Sequence, residues 1–159
     1  MDKLLALLQA NSQRAVADLA HELGITEAEV AARIAAAEQA GVILGYQAVV
    51  DRAKQEDRGV RALIEVRISP EQGGGFDRLA RRISQYDQVR DCLLMSGGYD
   101  LAVVVEGKDL YEVANFVSEK LSTLNGVLST ATLFELKSYK QAGFIVDQGV
   151  REDRLPVAP

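Results

Sequence analysis

The spacing of apolar residues changes period part-way along the chain. Leu4, Leu5 and Leu8 recur at helical spacing, and Asn11-Ser12-Gln13 breaks the run. Val16, Leu19, Ala20 and Leu23 then repeat at i, i+3, i+4 and i+7, which is one apolar helix face, and Gly24 follows as a natural stop. Thr26-Glu27-Ala28-Glu29 has the pattern of a capping box: the threonine hydroxyl takes the amide three residues on, and Glu29 reaches back. A third helix runs on through Val30, Ile34 and Ala37 to Gly41. From Val42 to Val50 the run is rich in β-branched residues around a central Gly45, as in a small hairpin or strand.

Residues 51–59 are polar and charged and read as a linker. Beyond them the period falls to two. Val60, Ala62, Ile64, Val66 and Ile68 share one face of a strand, with Arg61, Glu65 and Arg67 on the other. Ser69-Pro70 and Gly73-Gly74-Gly75 end it. Phe76, Leu79, Ala80 and Ile83 form a helical stripe, 89–95 a strand, Gly97-Gly98 a tight turn and 101–106 an apolar strand. Leu110, Val113, Ala114, Val117 and Leu121 form another helical stripe, and 127–136 a last strand. The order is βαββαβ, the ferredoxin-like unit. Its helices cover one face of a four-stranded antiparallel sheet, and the open face predicts dimerisation. The tail mixes Tyr139, Phe144 and Ile145 with charges and offers an edge strand, while the part past Gly149 reads as loosely ordered. The divisions predicted are 1–44, a hinge strand and linker at 45–59, 60–136, and a tail at 137–159.

Composition narrows the chemistry. No apolar run approaches the roughly 20 residues that span a bilayer. The start, Met1-Asp2-Lys3-Leu4-Leu5, has no basic flank or cleavage pattern of a signal peptide. Cys92 is the one cysteine, so no intrachain disulfide is possible. A cytoplasmic location fits. No Cys/His cluster suggests zinc and no phosphate loop is present, so no cofactor or metal is expected.

Several motifs resemble one family. Ala20-His21-Glu22-Leu23-Gly24-Ile25-Thr26, with Val30 and Arg33-Ile34, is similar to the helix-turn-helix of Lrp/AsnC ("feast/famine") transcription regulators. Glu38-Gln39-Ala40-Gly41-Val42-Ile43-Leu44-Gly45-Tyr46-Gln47-Ala48 resembles the family's hinge, and Ser96-Gly97-Gly98-Tyr99-Asp100-Leu101 its sensor turn. Asn125-Gly126-Val127 with Thr130 and Thr132 resembles its last strand, and Leu136-Lys137 with Tyr139-Lys140 its end. The resemblance covers roughly residues 1–140. It implies an α+β chain: a three-helix, winged helix-turn-helix followed by a ferredoxin-like domain that binds an effector and forms oligomers.

On this resemblance the DNA-reading positions lie near 26–33, with Arg14, Thr26, Glu27 and Arg33 as the candidate contacts. Arg52, Lys54 and Arg58 are further candidates for phosphates. The charge runs against a phosphate-binding unit: residues 1–50 carry three cations against six anions, a net of −3, and the chain as a whole carries −5. Carboxylates at Glu27 and Glu29 repel phosphates, although they can accept from cytosine amino groups. For Glu29 the capping box is the preferred role.

The resemblance also implies a pocket between subunits lined by Gly97, Gly98, Tyr99, Asp100, Thr130 and Thr132. The chemistry is coherent. Glycine amides suit a carboxylate, Asp100 suits an ammonium group, and two hydroxyls two residues apart on a strand share a side. Together they complement an α-amino acid or a related metabolite. The bland reading of Gly97-Gly98 is a plain hairpin.

The function expected is thus a non-enzymatic regulator: a homodimer assembling into higher oligomers, with double-stranded DNA and a small effector as partners. One alternative is an effector-binding oligomer whose degenerate helix-turn-helix serves protein contacts. A second is an enzyme like the siroheme decarboxylases, which share the plan but use histidine and arginine around a tetrapyrrole. His21 is the sole histidine and reads as a solvated helix position, which makes that match poor.

Overall fold

The computed structural model describes residues 2–69 and 76–147. The expected break at Pro70 to Gly75 and the tail past Gly149 lie outside these. The chain divides into two compact units between Ala48 and Val49.

The first unit is three helices, α1 (Lys3–Ala10), α2 (Val16–Leu23) and α3 (Glu27–Gln39). Each begins or ends on a local signal. Asp2 caps α1 by accepting from the Leu4 amide at 2.9 Å. Gly24 ends α2 in the left-handed conformation. The capping box at α3 is complete, with Thr26 Oγ1 accepting from the Glu29 amide and Glu29 accepting from the Thr26 amide. The apolar stripes meet in one core of Leu4, Leu8, Leu19, Ala20 and Val30, with Leu23, Ile25 and Ile34 packed against it. Each buried leucine there is worth about 1.5–3 kcal/mol of transfer free energy.

Residues 44–50 form no ladder within the chain, in place of the hairpin or strand predicted for 42–50. The β-branched run satisfies the propensity, but a strand also needs a partner to take its backbone groups. Tyr46 is instead tied back to α3, its hydroxyl donating to Glu38 Oε1 at 2.9 Å.

The second unit is an antiparallel sheet of β1 (Val60–Ile68), β2 (Val89–Leu94), β3 (Leu101–Gly107) and β4 (Val127–Phe134), in the order β2-β3-β1-β4. Helices α4 (Asp77–Ile83) and α5 (Leu110–Asn115) cover one face, and α5 runs on into a π-helical turn at Phe116–Leu121. The period-two residues Ala62, Ile64, Val66 and Ile68 of β1 are buried with Val103, Val105, Ile83, Phe116 and Leu121. Tyr86 meets Phe116 edge to face, with ring centroids 5.4 Å apart. Cys92 faces this core, half buried.

The opposite face carries Leu63 between Val104 and Leu133 in one row, with Asp91 beyond Val104, and Leu93, Ala102, Glu65 and Ala131 in the next. Leu93 and Leu133 are about half exposed, at 54% and 50%. Arg61 sits at the rim of the patch, 3.7 Å from Asp91 and 3.8 Å from Glu135.

Three expectations change. β4 stops at Phe134 rather than at residue 136, because its partner β1 begins at Val60 and the last shared bond runs from the Glu135 amide to the Arg61 carbonyl. Among its described residues the tail adds no strand to the sheet edge. Its two short strands, β5 (Lys140–Gln141) and β6 (Phe144–Ile145), pair with each other. Residues 51–59 are not a loose linker. Asp51 caps a 3-10 turn at Arg52–Lys54, and Arg52 donates to Glu106 of β3 and to the Arg58 carbonyl. Gly59 has φ 57°, and a Cβ there would lie 2.6 Å from the Gly107 carbonyl oxygen, so the segment lies directly against the end of β3.

Candidate functional site

In the first unit the turn Gly24-Ile25-Thr26 joins α2 to α3, which is the geometry of a helix-turn-helix. In that motif the second helix enters the major groove and presents its N-terminal residues to base edges. Ala28, Ala31, Ala32, Ala35 and Ala36 of α3 are exposed, as are Glu27, Glu29 and Arg33. Of the sequence candidates, Thr26 and Glu27 open the helix and Arg33 stands one turn beyond Glu29. Arg14 lies before α2 and is engaged, 2.6 Å from Glu22 Oε2. Glu29 is also committed. The Thr26 backbone N–H, then its hydroxyl, hold the Glu29 carboxyl below its ordinary range. Arg33 makes no ion pair within 4 Å among the described residues. In the second unit Arg52 is bound to Glu106, and Lys54 is 3.1 Å from Asp51.

In the second unit residues 95–100 connect β2 to β3. The connection is longer than the two-residue turn that Gly97-Gly98 suggested. It closes through the Met95 amide donating to the Asp100 carbonyl at 2.8 Å. Gly97 has φ 143°, a conformation side-chain-bearing residues rarely adopt, and its surroundings are open. Asp100 is anchored at three atoms. Its carboxylate Oδ2 accepts from the Ile68 amide at 2.8 Å, and its amide donates to the Val66 carbonyl at 3.0 Å.

Thr130 and Thr132 do share a side of β4, the side covered by helices. Thr130 is opposite Val66, and Thr132 is opposite Ile64. Thr130 Oγ1 lies 3.5 Å from Ser122 Oγ at the end of the π-helical turn. The two halves of the expected pocket are therefore at one end of the sheet but flank β1 on opposite sides. Two strand spacings, roughly 10 Å, separate them.

Two clefts were not legible in the sequence. One, about 320 Å³, is lined by Lys108, Tyr111, Glu112, Glu119 and Lys120 among others. A second, about 350 Å³, is lined by Arg82, Tyr86, Lys120 and Asn125 among others. Neither includes the turn or the threonine pair. Lys120 stands over the Tyr86 ring, 5.6 Å from its centroid, a contact between α5's extension and the loop after α4 that no local pattern announces. His21 is exposed on α2, and no described group of His, Cys, Asp and Glu side chains is arranged to hold a metal ion. No helix among the described residues is long and apolar enough to cross a membrane.

A helix-turn-helix in front of a ferredoxin-like domain with a glycine-containing turn at one sheet end is the plan of a two-domain transcriptional regulator. Residues 2–38 match the AsnC-type helix-turn-helix domain, and residues 61–144 match the Lrp/AsnC ligand binding domain. The chain belongs to the Lrp/AsnC family of transcriptional regulators. The uncharacterized helix-turn-helix regulator YugG of Bacillus subtilis is 41% identical over 158 residues, 99% of this chain and 95% of that one. A proline dehydrogenase transcriptional activator of Rhodobacter capsulatus is 29% identical over 136 residues, 86% of this chain and 88% of that one. The crystal structure of a Neisseria meningitidis transcriptional regulator in complex with L-Met has the same fold. Its TM-score is 0.69 at 23% identity, over 89% of this chain and 93% of that one.

Proposed function

We infer that this protein binds double-stranded DNA through its helix-turn-helix and changes that binding when its second unit takes up an amino acid or a related small metabolite. The observation that carries the reading is the ordered pair of family domains, which together span most of the chain. Thr26, Glu27 and Arg33 face the DNA, with Arg14 beside them. Gly97, Gly98, Tyr99, Asp100, Thr130 and Thr132 take the effector. Regulators with amino-acid-related names among the relatives, including a leucine-responsive regulatory protein of Haemophilus influenzae at 26% identity, support that ligand class.

The protein works as a homo-oligomer in the cytoplasm. The apolar patch of Leu63, Val104, Leu93 and Leu133 is covered by a second copy, and higher assembly brings the separated halves of the effector site together from neighbouring chains. An oligomer also multiplies weak single units through effective concentration, which offsets the net charge of −3 on each reading unit. No covalent chemistry is involved. The net negative charge favours one rival, in which the helix-turn-helix serves protein contacts instead.

Nuclease footprinting of the full chain on DNA from upstream of its own gene separates these. A protected segment that survives excess random DNA is expected. Uniform cutting at every protein concentration contradicts the DNA-binding reading.

A further inference from the structure

In the first unit several of the charges around the reading helix are already engaged. Arg14 is held by Glu22, and the Lys3 ammonium donates to the Glu22 carbonyl at 3.0 Å. Glu29 is locked into the capping box by both the amide and the hydroxyl of Thr26. Arg33 is left as the only cation on α3, and it makes no ion pair among the described residues. Glu29 lies one turn before it, close enough to feel its charge, and the rest of the adjoining exposed surface is methyl groups: Ala28, Ala32 and Ala36 lie at i, i+4 and i+8, one above the next.

Such a surface has a narrow chemical vocabulary. A guanidinium offers two parallel donors to the O6 and N7 acceptors of guanine, and an alanine methyl packs against the C5-methyl of thymine. The helix has no amide side chain before Gln39 to read adenine, and its N-terminal carboxylates disfavour close phosphate contact.

We propose that α3 reads a guanine through Arg33 set among thymines whose methyl groups meet Ala28, Ala32 and Ala36, so that Arg33 is the specificity-determining side chain of the DNA-binding unit. This rests on α3 being the recognition helix of a DNA-binding protein. The operator it selects contains a guanine flanked by thymines in each half-site. Base contacts, more than phosphate contacts, discriminate it from random DNA.

The test uses the full chain, the duplex protected in the footprint, and fluorescence anisotropy. Thymines in the duplex are replaced by uracil, which removes only the methyl groups. Guanines are replaced one at a time by 7-deazaguanine, which removes only N7. Uracil is expected to weaken binding roughly 3- to 5-fold for each methyl that an alanine covers. One 7-deazaguanine per half-site is expected to weaken the wild-type chain roughly 5- to 150-fold. The same replacement leaves Arg33→Ala unmoved. Arg33→Lys keeps the charge but gives up the planar fork, so weaker binding of this variant to the guanine duplex separates guanine reading from simple attraction to phosphate. Equal affinity for the thymine and uracil duplexes overturns the proposal and leaves the regulator reading standing. So does a 7-deazaguanine penalty that persists in Arg33→Ala. If no duplex is bound at all, both fall together.

Discussion

The Asp100 carboxylate accepts from the Ile68 backbone amide at 2.8 Å, across 32 residues of sequence. This bond fixes the β2–β3 connection to the end of β1. It falls where the pairing of β1 with β4 slips between Arg67 and Ile68, and where the Ser69 amide reaches the Gly126 carbonyl at 2.8 Å. One oxygen of Asp100 is thus spent on the fold, and the proposed contact with a ligand ammonium group falls to the other.

Replacing Asp100 therefore acts on stability as well as on ligand binding. Asp100→Ala leaves the amide of buried Ile68 without its acceptor and is expected to cost about 1.5–3 kcal/mol. Asp100→Asn keeps an acceptor and costs less. Chemical denaturation of the two variants without ligand checks this. Equal stability of wild type and Asp100→Ala contradicts the anchoring role.

Much of the architecture was legible because its causes are local. The helical stripes of α1 to α3 and the capping residues Thr26 and Glu29 lie within a few positions of what they satisfy. The period-two face of β1 needs only its own alternation. The β2–β3 connection was misjudged as a two-residue turn because its length is set by Asp100 binding to β1, which adjacent glycines do not reveal. Residues 51–59 read as a linker because the partner that ties Arg52 down is not near it in sequence. Arg52 finds Glu106 54 positions away. The candidate ligand residues were nameable only by resemblance. Their separation across β1 depends on strand order, and the composition of the strands does not disclose it.

The capping box makes the first unit acid-sensitive. The Glu29 carboxyl is held low by the Thr26 amide and hydroxyl, so its stabilisation is complete above its unfolded pKa and is lost as pH falls through the lower folded value. Thr26→Ala is expected to cost about 1 kcal/mol at neutral pH. It also makes the acid limb shallower in part, because Glu29 loses the hydroxyl while the backbone N–H of residue 26, the larger cause, remains. Helix content followed by circular dichroism from neutral to acid pH checks both. A Thr26→Ala profile that parallels wild type contradicts the assignment.

The open sheet face predicts the oligomer. Leu63→Asp or Leu133→Asp places a carboxylate in the centre of the patch. A second copy covering it would have to desolvate that charge at a cost of several kcal/mol. Light scattering is expected to show a smaller species for each variant, with circular dichroism unchanged. An unchanged mass for both means that another surface holds the assembly together.

Cys92 serves as a reporter of the core. Burial pushes its thiol up from the ordinary value, and Sγ lies 3.7 Å from the Ala80 carbonyl oxygen beneath α4. Iodoacetamide is expected to label it slowly in the native protein and quickly in denaturant. Fast native labelling contradicts the packing of α4 over β2.

The central claim is that ligand binding in the second unit is linked to DNA binding by the first. The most direct measurement is the affinity of the full chain for the footprinted duplex and for a shuffled one, by anisotropy, with and without each common amino acid. The account predicts tighter binding to the footprinted duplex and at least one amino acid that changes its affinity by about 5- to 150-fold. Equal affinity for both duplexes, or no change with any amino acid or related metabolite, contradicts it.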